Sequence, residues 1–307
     1  MSAAQPTPNQ GPQNRADPRQ SSEVKLRLGV PKGRMHDQVV ALLGDAGIKL
    51  SASARGYRPT ISLRGVEAKI LKPQTIIEML AQGTRDAGFA GADWVAEFRA
   101  DVVRLLDLGL DAVRLVAAAP AGLLEGGKLP SRRLRVASEM ERLTRSWISS
   151  RGRDDVFVRS YGATEVLPPE DADCIVDIAA SGATLEANGL VVVDELMRST
   201  TGFYASRAAM DDPGKRGAIE DLALLLGSVI EARRRVMIEV NVSKEKLDAV
   251  AKIMPCMREP TIAMLHHDAG YVIKVAALRE LLPRLIPQIK LAGGTDIVVS
   301  PISQVVP

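Results

Sequence analysis

The residues whose types and spacing most clearly indicate a binding function form a run of small side chains that follows an acidic residue. A buried strand is predicted over residues 174–177, and it ends in Asp177. The run comprises Ala180, Ser181, Gly182, Ala183, Thr184 and Leu185. Small side chains let backbone N–H groups converge on an anion, and a following helix adds its dipole. The run therefore predicts a phosphate-binding loop, although alone it is equally compatible with an ordinary turn between a strand and a helix.

Two carboxylates accompany this loop. Asp177 can accept hydrogen bonds from ribose hydroxyls or act as a ligand of Mg²⁺, which prefers carboxylate oxygens. Glu165 follows the segment that begins at Gly162, and it suits a ribose hydroxyl or a base. Glu165 equally suits the first turn of a helix, where a negative charge is favourable. Asp177 is the candidate metal ligand.

A second constellation is the basic turn that follows the first predicted strand. It carries Lys32 and Arg34, and ligands of open α/β sheets bind beyond the carboxyl ends of strands. A lysine and an arginine at that position suit a pyrophosphate or a triphosphate. Lys72, Arg64 and Arg114 are further possible phosphate contacts. Taken singly, each of these cations is also compatible with a solvated surface charge.

Histidine chemistry and covalent catalysis are not predicted. The chain has three histidines, and His266 and His267 are accompanied by no set of Cys, Asp or Glu at metal-ligand spacing. The sequence also contains no Ser-His-Asp or Cys-His combination.

The bulk composition is that of a soluble globular protein. Of 307 residues 46% are hydrophobic, and the net charge of +3 is too small to indicate nucleic acid as a partner. Two cysteines indicate a reducing compartment, and no apolar run is long enough for a membrane helix. Residues 1–24, rich in Pro, Gln, Asn and Ser, predict a disordered tail without the apolar core of a signal peptide. We therefore expect a cytoplasmic protein that does not associate with membranes.

The elements that must position these residues alternate between strand and helix, which is typical of α/β domains. Short strands are predicted over residues 115–119, 190–195 and 202–205, and a long helix over 217–235. The pattern changes after Arg235. Residues 231–307 read as βαββαβ, the ferredoxin-like order, and predict a separate module.

Taken together, from about residue 25 to 307, these segments resemble the long form of the ATP phosphoribosyltransferase family. The family's opening Lys-Gly-Arg turn is matched by Lys32, Gly33 and Arg34. Its later motifs are matched by Gly83 to Asp93, Gly162 to Glu165, and Asp177 to Leu190. The match over the phosphoribosyl loop is long and specific, and it makes an anion-binding role the preferred interpretation of that loop.

The resemblance implies a fold and a domain organisation. The fold is two periplasmic-binding-protein-like α/β catalytic domains plus a C-terminal ferredoxin-like regulatory domain. Catalytic domain I would comprise residues 25–115 and 205–230, and catalytic domain II residues 116–204. The regulatory domain would comprise residues 231–307.

The resemblance also implies a reaction, in which ATP and phosphoribosyl pyrophosphate give N1-(5-phosphoribosyl)-ATP and pyrophosphate, the first step of histidine biosynthesis. Mg²⁺ would be the cofactor, histidine an allosteric inhibitor, and the assembly a homohexamer related to dimers. The loop would hold the 5-phosphate, Asp177 and Glu165 the ribose or metal, and Lys32, Arg34 and Lys72 the pyrophosphate or ATP.

Three positions depart from the family pattern. Ser181 replaces the frequent threonine and keeps the hydroxyl, whereas Lys72 replaces an arginine and loses its bidentate fork. Residues 254–259 lack the common glycine-containing version of the regulatory segment.

Because two lobes around a cleft also describe solute-binding proteins, a non-catalytic binding or sensor protein is the alternative.

Overall fold

Strands and helices alternate through the part of the chain that precedes Arg235, as the sequence predicts. The computed structural model describes residues 25–51 and 56–306, so the predicted tail over residues 1–24 lies outside the described residues. The strands are β1 (Leu26–Pro31), β2 (Leu50–Ser51), β3 (Thr60–Ile61), β4 (Val66–Leu71), β5 (Ala87–Gly91), β6 (Val102–Pro120), β7 (Arg135–Ser138), β8 (Val156–Arg159), β9 (Cys174–Ala179), β10 (Leu190–Ser206), β11 (Arg235–Val242), β12 (Thr261–Met264), β13 (Tyr271–Leu278) and β14 (Thr295–Pro301). The α-helices are α1 (His36–Asp45), α2 (Pro73–Ala81), α3 (Ala92–Phe98), α4 (Glu141–Ser150), α5 (Ala183–Ala187), α6 (Arg207–Asp211), α7 (Pro213–Arg233), α8 (Leu247–Ile253) and α9 (Leu282–Leu291).

One eight-stranded sheet forms the body of the molecule, in the order β4-β1-β5-β10-β6-β9-β7-β8. The strands β4, β1 and β5 are parallel at one end, and β9, β7 and β8 are parallel at the other. The central strands β10 and β6 pair antiparallel with each other and with the strands that flank them. We name the half around β1 lobe I and the half around β7 lobe II.

The two central strands are much longer than the sequence patterns predicted. Residues 115–119 are only part of the 19-residue strand β6, and residues 190–195 and 202–205 both belong to the 17-residue strand β10. The polar segment Ser199 to Thr201 looked like a break between strands. It stays in the sheet because register shifts in its pairing with β6 absorb the irregularity.

Lobe I packs helices on both faces of its strands. On one face, α1 and α7 bury Leu42 and Leu226 against Leu28 of β1. On the other face, α2 lies directly on the strand backbone. A Cβ added at Gly88 would stand 2.6 Å from Cγ2 of Ile76, so only glycine permits this close approach.

Asp86, which directly precedes β5, joins two other elements of lobe I through its carboxylate. Arg27 of β1 donates to it from its backbone N (2.7 Å), Nε (2.9 Å) and Nη2 (2.8 Å), and Lys215 of α7 donates from Nζ (2.9 Å). Burial alone would raise the pKa of Asp86, but the hydrogen bonds from Arg27 and Lys215 outweigh burial and hold it below its usual range. Asp86 is therefore ionised at neutral pH and links β1 to α7.

The C-terminal module is a four-stranded antiparallel sheet in the order β12-β13-β11-β14. Alternate residues of β11 are buried beneath α8 and α9, as a strand with one covered face requires. The predicted βαββαβ order is confirmed. Among the described residues, no helix has both the length and the apolar character needed to span a membrane.

Candidate active site

The carboxyl ends of the parallel strands in both lobes point at the same central region. In lobe I, Gly91 at the end of β5 pairs with Thr201, whereas in lobe II Ala179 at the end of β9 pairs with Arg114. Thr201 itself pairs with Leu110, only four residues from Arg114 along β6. Four residues of strand span roughly 13 Å. The loops that follow the strands of both lobes thus face each other across a narrow central zone.

The predicted phosphate loop lies at this zone in lobe II. It leaves β9 at Ala180 and enters α5 through Gly182, which caps the helix with a φ of 88° that L side chains rarely adopt. The Ser181 Oγ accepts a hydrogen bond from the Ala183 N–H at 3.3 Å. Thr184 is exposed in the first turn of α5. Backbone N–H groups of this first turn are therefore open to an anion.

The second half of the loop is anchored in the protein. Ala183, Thr184 and Leu185 belong to the first turn of α5, and the Leu185 side chain is buried in the lobe II core. The Asn188 side chain closes the short helix by donating to the Thr184 carbonyl at 2.9 Å. Leu185 thus contributes its backbone to the loop, while its side chain fixes the helix on the sheet.

An acidic cluster stands beside the loop. Asp177 is near the end of β9, Glu139 directly follows β7, and Glu165 lies in a 3₁₀ turn after β8. Burial raises the pKa of Asp177 to about 6, and the charges of Glu165 and Glu139 add to that rise, whereas the Ile178 N–H bond opposes it. Sequence reasoning found Asp177 and Glu165. It missed Glu139, which follows a different strand and has no motif of its own.

The turn that carries Glu165 is held by buried hydroxyls. The Oγ of Ser160 and the Oγ1 of Thr164 lie 2.8 Å apart, and both residues are buried. Ala163 between them adopts a left-handed conformation with a φ of 49°. This internal hydrogen bond fixes the direction in which the chain enters the Glu165 turn.

The basic turn of lobe I brings two predicted cations together. Lys32 follows β1, and its backbone N–H donates to the carbonyl of Leu71 at 2.8 Å, which places it beside Lys72 at the N-terminus of α2. Arg34 is held at the central zone by Asp111 of β6, with Nε 2.8 Å from Oδ1. Lys32, Lys72 and Arg34 thus all lie at the carboxyl edge of lobe I.

Two further polar residues occupy the junction of the lobes. The backbone N–H of Asp93 donates to the Ser199 Oγ of β10 at 3.1 Å. Burial raises the pKa of Asp93, while hydrogen bonds from Trp94 and Ser199 and the charge of Arg34 act against that rise. Asp93 was visible in sequence only as the last residue of the glycine-rich motif, and its contact with a residue 106 positions away was not predictable.

Arg64 and Arg114 have different surroundings. Arg64 is exposed in the segment between β3 and β4. Arg114 lies in the central strand β6, and its Nη1 stands 3.5 Å from the Glu195 carboxylate. Of these two, only Arg114 lies next to the start of the phosphate loop, through its pairing with Ala179.

The geometry defines a class of protein: a two-lobed α/β protein with a glycine-capped loop of small residues in one lobe and a basic turn opposite, plus a ferredoxin-like module. Residues 72–228 match the family model described as ATP phosphoribosyltransferase, and residues 232–304 match the model described as HisG, C-terminal domain. The chain belongs to the ATP phosphoribosyltransferase family.

Individual relatives agree with this assignment. The ATP phosphoribosyltransferase of Pelotomaculum thermopropionicum is 34% identical over 291 residues, which cover 92% of this chain and all of that protein. The enzyme of Chlorobium phaeovibrioides is 34% identical over 90% of this chain and 96% of its own length. A chain in the structure titled ATP phosphoribosyl transferase (HisG:HisZ) complex from Thermotoga maritima superposes with a TM-score of 0.60 at 25% identity, covering 67% of this chain and 98% of that one. The predicted fold, two α/β lobes followed by a regulatory-type module, is confirmed.

Proposed function

We propose that the chain is an ATP phosphoribosyltransferase that joins ATP and phosphoribosyl pyrophosphate to give N1-(5-phosphoribosyl)-ATP and pyrophosphate. The observation that carries this proposal is the Gly182-capped loop at the carboxyl end of β9, which faces the cations of lobe I. A phosphoribosyl donor has a phosphate at each end, and this arrangement offers an anion site in each lobe.

The loop residues are assigned to the 5-phosphate. Ser181 and Thr184 supply hydroxyls, and the first turn of α5 supplies backbone N–H groups with the positive end of its dipole. Lys32, Arg34 and Lys72 are assigned to the pyrophosphate or to the ATP phosphates, where positive charge stabilises the leaving group. Because Asp111 holds Arg34 in place, little reorganisation is needed when the anions arrive.

The carboxylates are assigned to the ribose. With a pKa of about 6, Asp177 is mostly ionised at neutral pH and can accept hydrogen bonds from ribose hydroxyls. Glu165 is assigned to the ribose or the base. Adenine N1 attacks the anomeric carbon as pyrophosphate leaves, and negative carboxylates nearby favour the positive charge that develops on the sugar. This displacement needs no protein nucleophile.

Mg²⁺ is the proposed cofactor, and it would neutralise the pyrophosphate leaving group when bound. Residues 25–51 and 56–306 contain no group of three or more His, Cys, Asp or Glu side chains that could hold a metal ion. Mg²⁺ does not require such a group, because it is commonly held by one or two carboxylates together with substrate phosphates. Asp177 is the carboxylate assigned to that role.

The test is a turnover assay with ATP, phosphoribosyl pyrophosphate and Mg²⁺, in which phosphoribosyl-ATP is followed by its absorbance and pyrophosphate is measured independently. The proposal requires both products in equal amounts. Binding of both substrates without turnover would instead identify a non-catalytic sensor. Omission of Mg²⁺, with restoration by its re-addition, tests the cofactor separately.

We also propose that the module over residues 231–307 carries feedback inhibition by histidine, that the chain forms a homohexamer in exchange with dimers, and that it acts in the cytoplasm. The match of residues 232–304 to the C-terminal domain model supports the first of these. Adding histidine to the turnover assay should lower the rate, and light scattering with and without histidine would measure the oligomeric state.

The catalytic lobes are proposed to divide at residues 115 and 205.

A further inference from the structure

Lobe I carries a second group of cations, at an outer cavity that the proposed reaction does not use. The cavity has a volume of about 390 Å³ and lies against the edge strand β4. One wall is β4 from Val66 to Lys69, the other is the segment from Arg58 to Ile61, and Arg85 forms part of the lining. Its size falls within the roughly 300–1,000 Å³ of small-molecule sites.

Arg85 is the unusual residue of this cavity. The residue is only 8% exposed, and its Nε and Nη1 atoms have no hydrogen-bond partner among the described residues. A buried guanidinium normally forms hydrogen bonds with a carboxylate or with carbonyl groups, because an unpaired buried charge is costly. Burial, and next the charge of Arg27, lower the pKa of Arg85. The fold therefore keeps a desolvated cation beside an open space.

Neighbouring charges make this space more positive. The charges of Arg85 and then Arg58 lower the pKa of Lys69, so these three cations lie close enough to repel one another. The carboxylate among the cavity's lining residues is Glu67, and it also stands 3.5 Å from the Nζ of Lys25. A net positive charge remains for a ligand to neutralise.

The charge of the nearby Asp86 raises the pKa of Arg85, but it does not outweigh burial and the charge of Arg27. Asp86 follows Arg85 in sequence, but its two oxygens already accept from Arg27 and from Lys215. The side chain of Arg85 lines the cavity on β4 instead. No hydrogen-bond acceptor among the described residues meets Nε or Nη1 of Arg85, and a ligand in the cavity would supply one.

The cavity is separate from the proposed active site. Arg85 precedes β5, whereas the central zone lies at the opposite end of that strand, after Gly91. Six residues of extended chain correspond to roughly 20 Å. An anion at Arg85 would not overlap a ligand that contacts the loop at Gly182 or the basic turn at Lys32.

We propose that this cavity binds a phosphate group, either as inorganic phosphate or as the phosphate of a small ester. A dianion of that size matches the excess positive charge, and the planar guanidinium of Arg85 offers directed N–H donors to its oxygens. Arg58 and Lys69 at the rim provide further charge. The volume leaves room for a small organic group beyond the phosphate.

The experiment is a calorimetric titration of the full chain with inorganic phosphate at constant ionic strength. Arg85→Met removes the buried charge while keeping an apolar stem of similar length. Arg58→Gln changes an exposed rim residue, so we expect the fold to be retained. Each should weaken the phosphate isotherm of this site, Arg85→Met by at least about tenfold. Lys49→Gln, which removes an exposed lysine of lobe I outside the cavity lining, is the matched control and should change nothing.

Thr184→Ala distinguishes phosphate that binds at the proposed active site from phosphate that binds in this cavity. The variant should leave the Arg85-dependent part of the phosphate isotherm unchanged. The proposal is overturned if the parent and Arg85→Met isotherms superimpose, or if only Thr184→Ala alters phosphate binding. A parallel titration with ribose 5-phosphate distinguishes a site for inorganic phosphate from a site for a small phosphate ester. Equal, Arg85-dependent affinity for both compounds indicates that phosphate alone is recognised, and tighter binding of the ester that is lost in Arg85→Met indicates a phosphorylated metabolite.

Discussion

The substitution Gly182→Ala should impair use of the phosphoribosyl donor through the backbone alone. A Cβ at this position would meet no atom within 4 Å of it, so no steric clash confuses the result. The cost arises from the φ of 88°, and a left-handed conformation costs an L residue roughly 1–2 kcal/mol. Because Leu185 and Asn188 anchor α5 independently, the loop around residue 182 can relax while the helix remains.

That cost translates directly into apparent affinity. If the strained loop is the binding-competent state, its population falls by about 5- to 30-fold for 1–2 kcal/mol. KM for phosphoribosyl pyrophosphate should rise by that factor, with kcat at saturation nearly unchanged. Gly182→Asn should recover much of the loss, since asparagine adopts this conformation more readily than alanine. Initial rates across a range of donor concentrations measure both constants.

The chain supplies a matched control at the other end of α5. Gly189 also has a positive φ, of 70°, and an added Cβ there would likewise meet no atom within 4 Å. Gly189→Ala should therefore lower the thermal midpoint about as much as Gly182→Ala but leave KM unchanged. Equal increases in KM from both variants, or none from either, would refute the backbone argument.

Three further predictions follow from the site and from lobe I. Thr184→Ala should raise KM for the donor by about tenfold, the loss of one hydrogen bond to a charged group, and Thr184→Ser should restore it; a serine variant as poor as alanine would contradict the hydroxyl role. Lys72→Met should raise KM for a phosphate-bearing substrate more than Lys72→Arg does, because the first removes the charge; equal kinetic constants for the two variants would exclude Lys72. Asp86→Asn should lower the free energy of unfolding by about 3 kcal/mol, since it breaks a largely buried ion pair. Because the pKa of Asp86 lies below its unfolded value of about 3.9, the parent should lose this contribution only as pH falls below about 4, and denaturant titrations at pH 3 to 7 should show a shallower acid loss in the variant.

How far the sequence predicted the structure depended on whether a signal was local. The C-terminal strands were predicted correctly because alternate residues of β11 face the core, a period that is visible in eight residues. The loop after Asp177 was found because its residues are contiguous. The length of β10 was not predictable, since Ser199, Thr200 and Gly202 resemble turn residues and pairing with β6 and β5 keeps this segment extended.

The site shows the same limit. Glu139, Asp177 and Glu165 follow or end three different strands, and nothing in the sequence states that those strands are neighbours in the sheet. The unpartnered state of Arg85 was equally invisible, because it depends on which atoms surround a buried side chain. Residue types were enough to predict candidate binding residues within one segment. Which residues from distant segments lie close together could be determined only from the order of strands in the sheet.

The route of the chain through the central strands has a consequence for how the protein is made. Lobe I is completed only when β10 returns to pair with β5, and Gly91 and Thr201 are 110 residues apart. The strands of lobe II other than the central pair, β7 to β9, lie between these points and can associate first. Early formation of lobe II would shorten the effective chain that must close, which lowers the entropic cost of that late pairing. During synthesis, the first half of lobe I therefore leaves the ribosome with an unpaired edge at β5. That edge stays unpaired until β10 has been synthesised and joins the sheet.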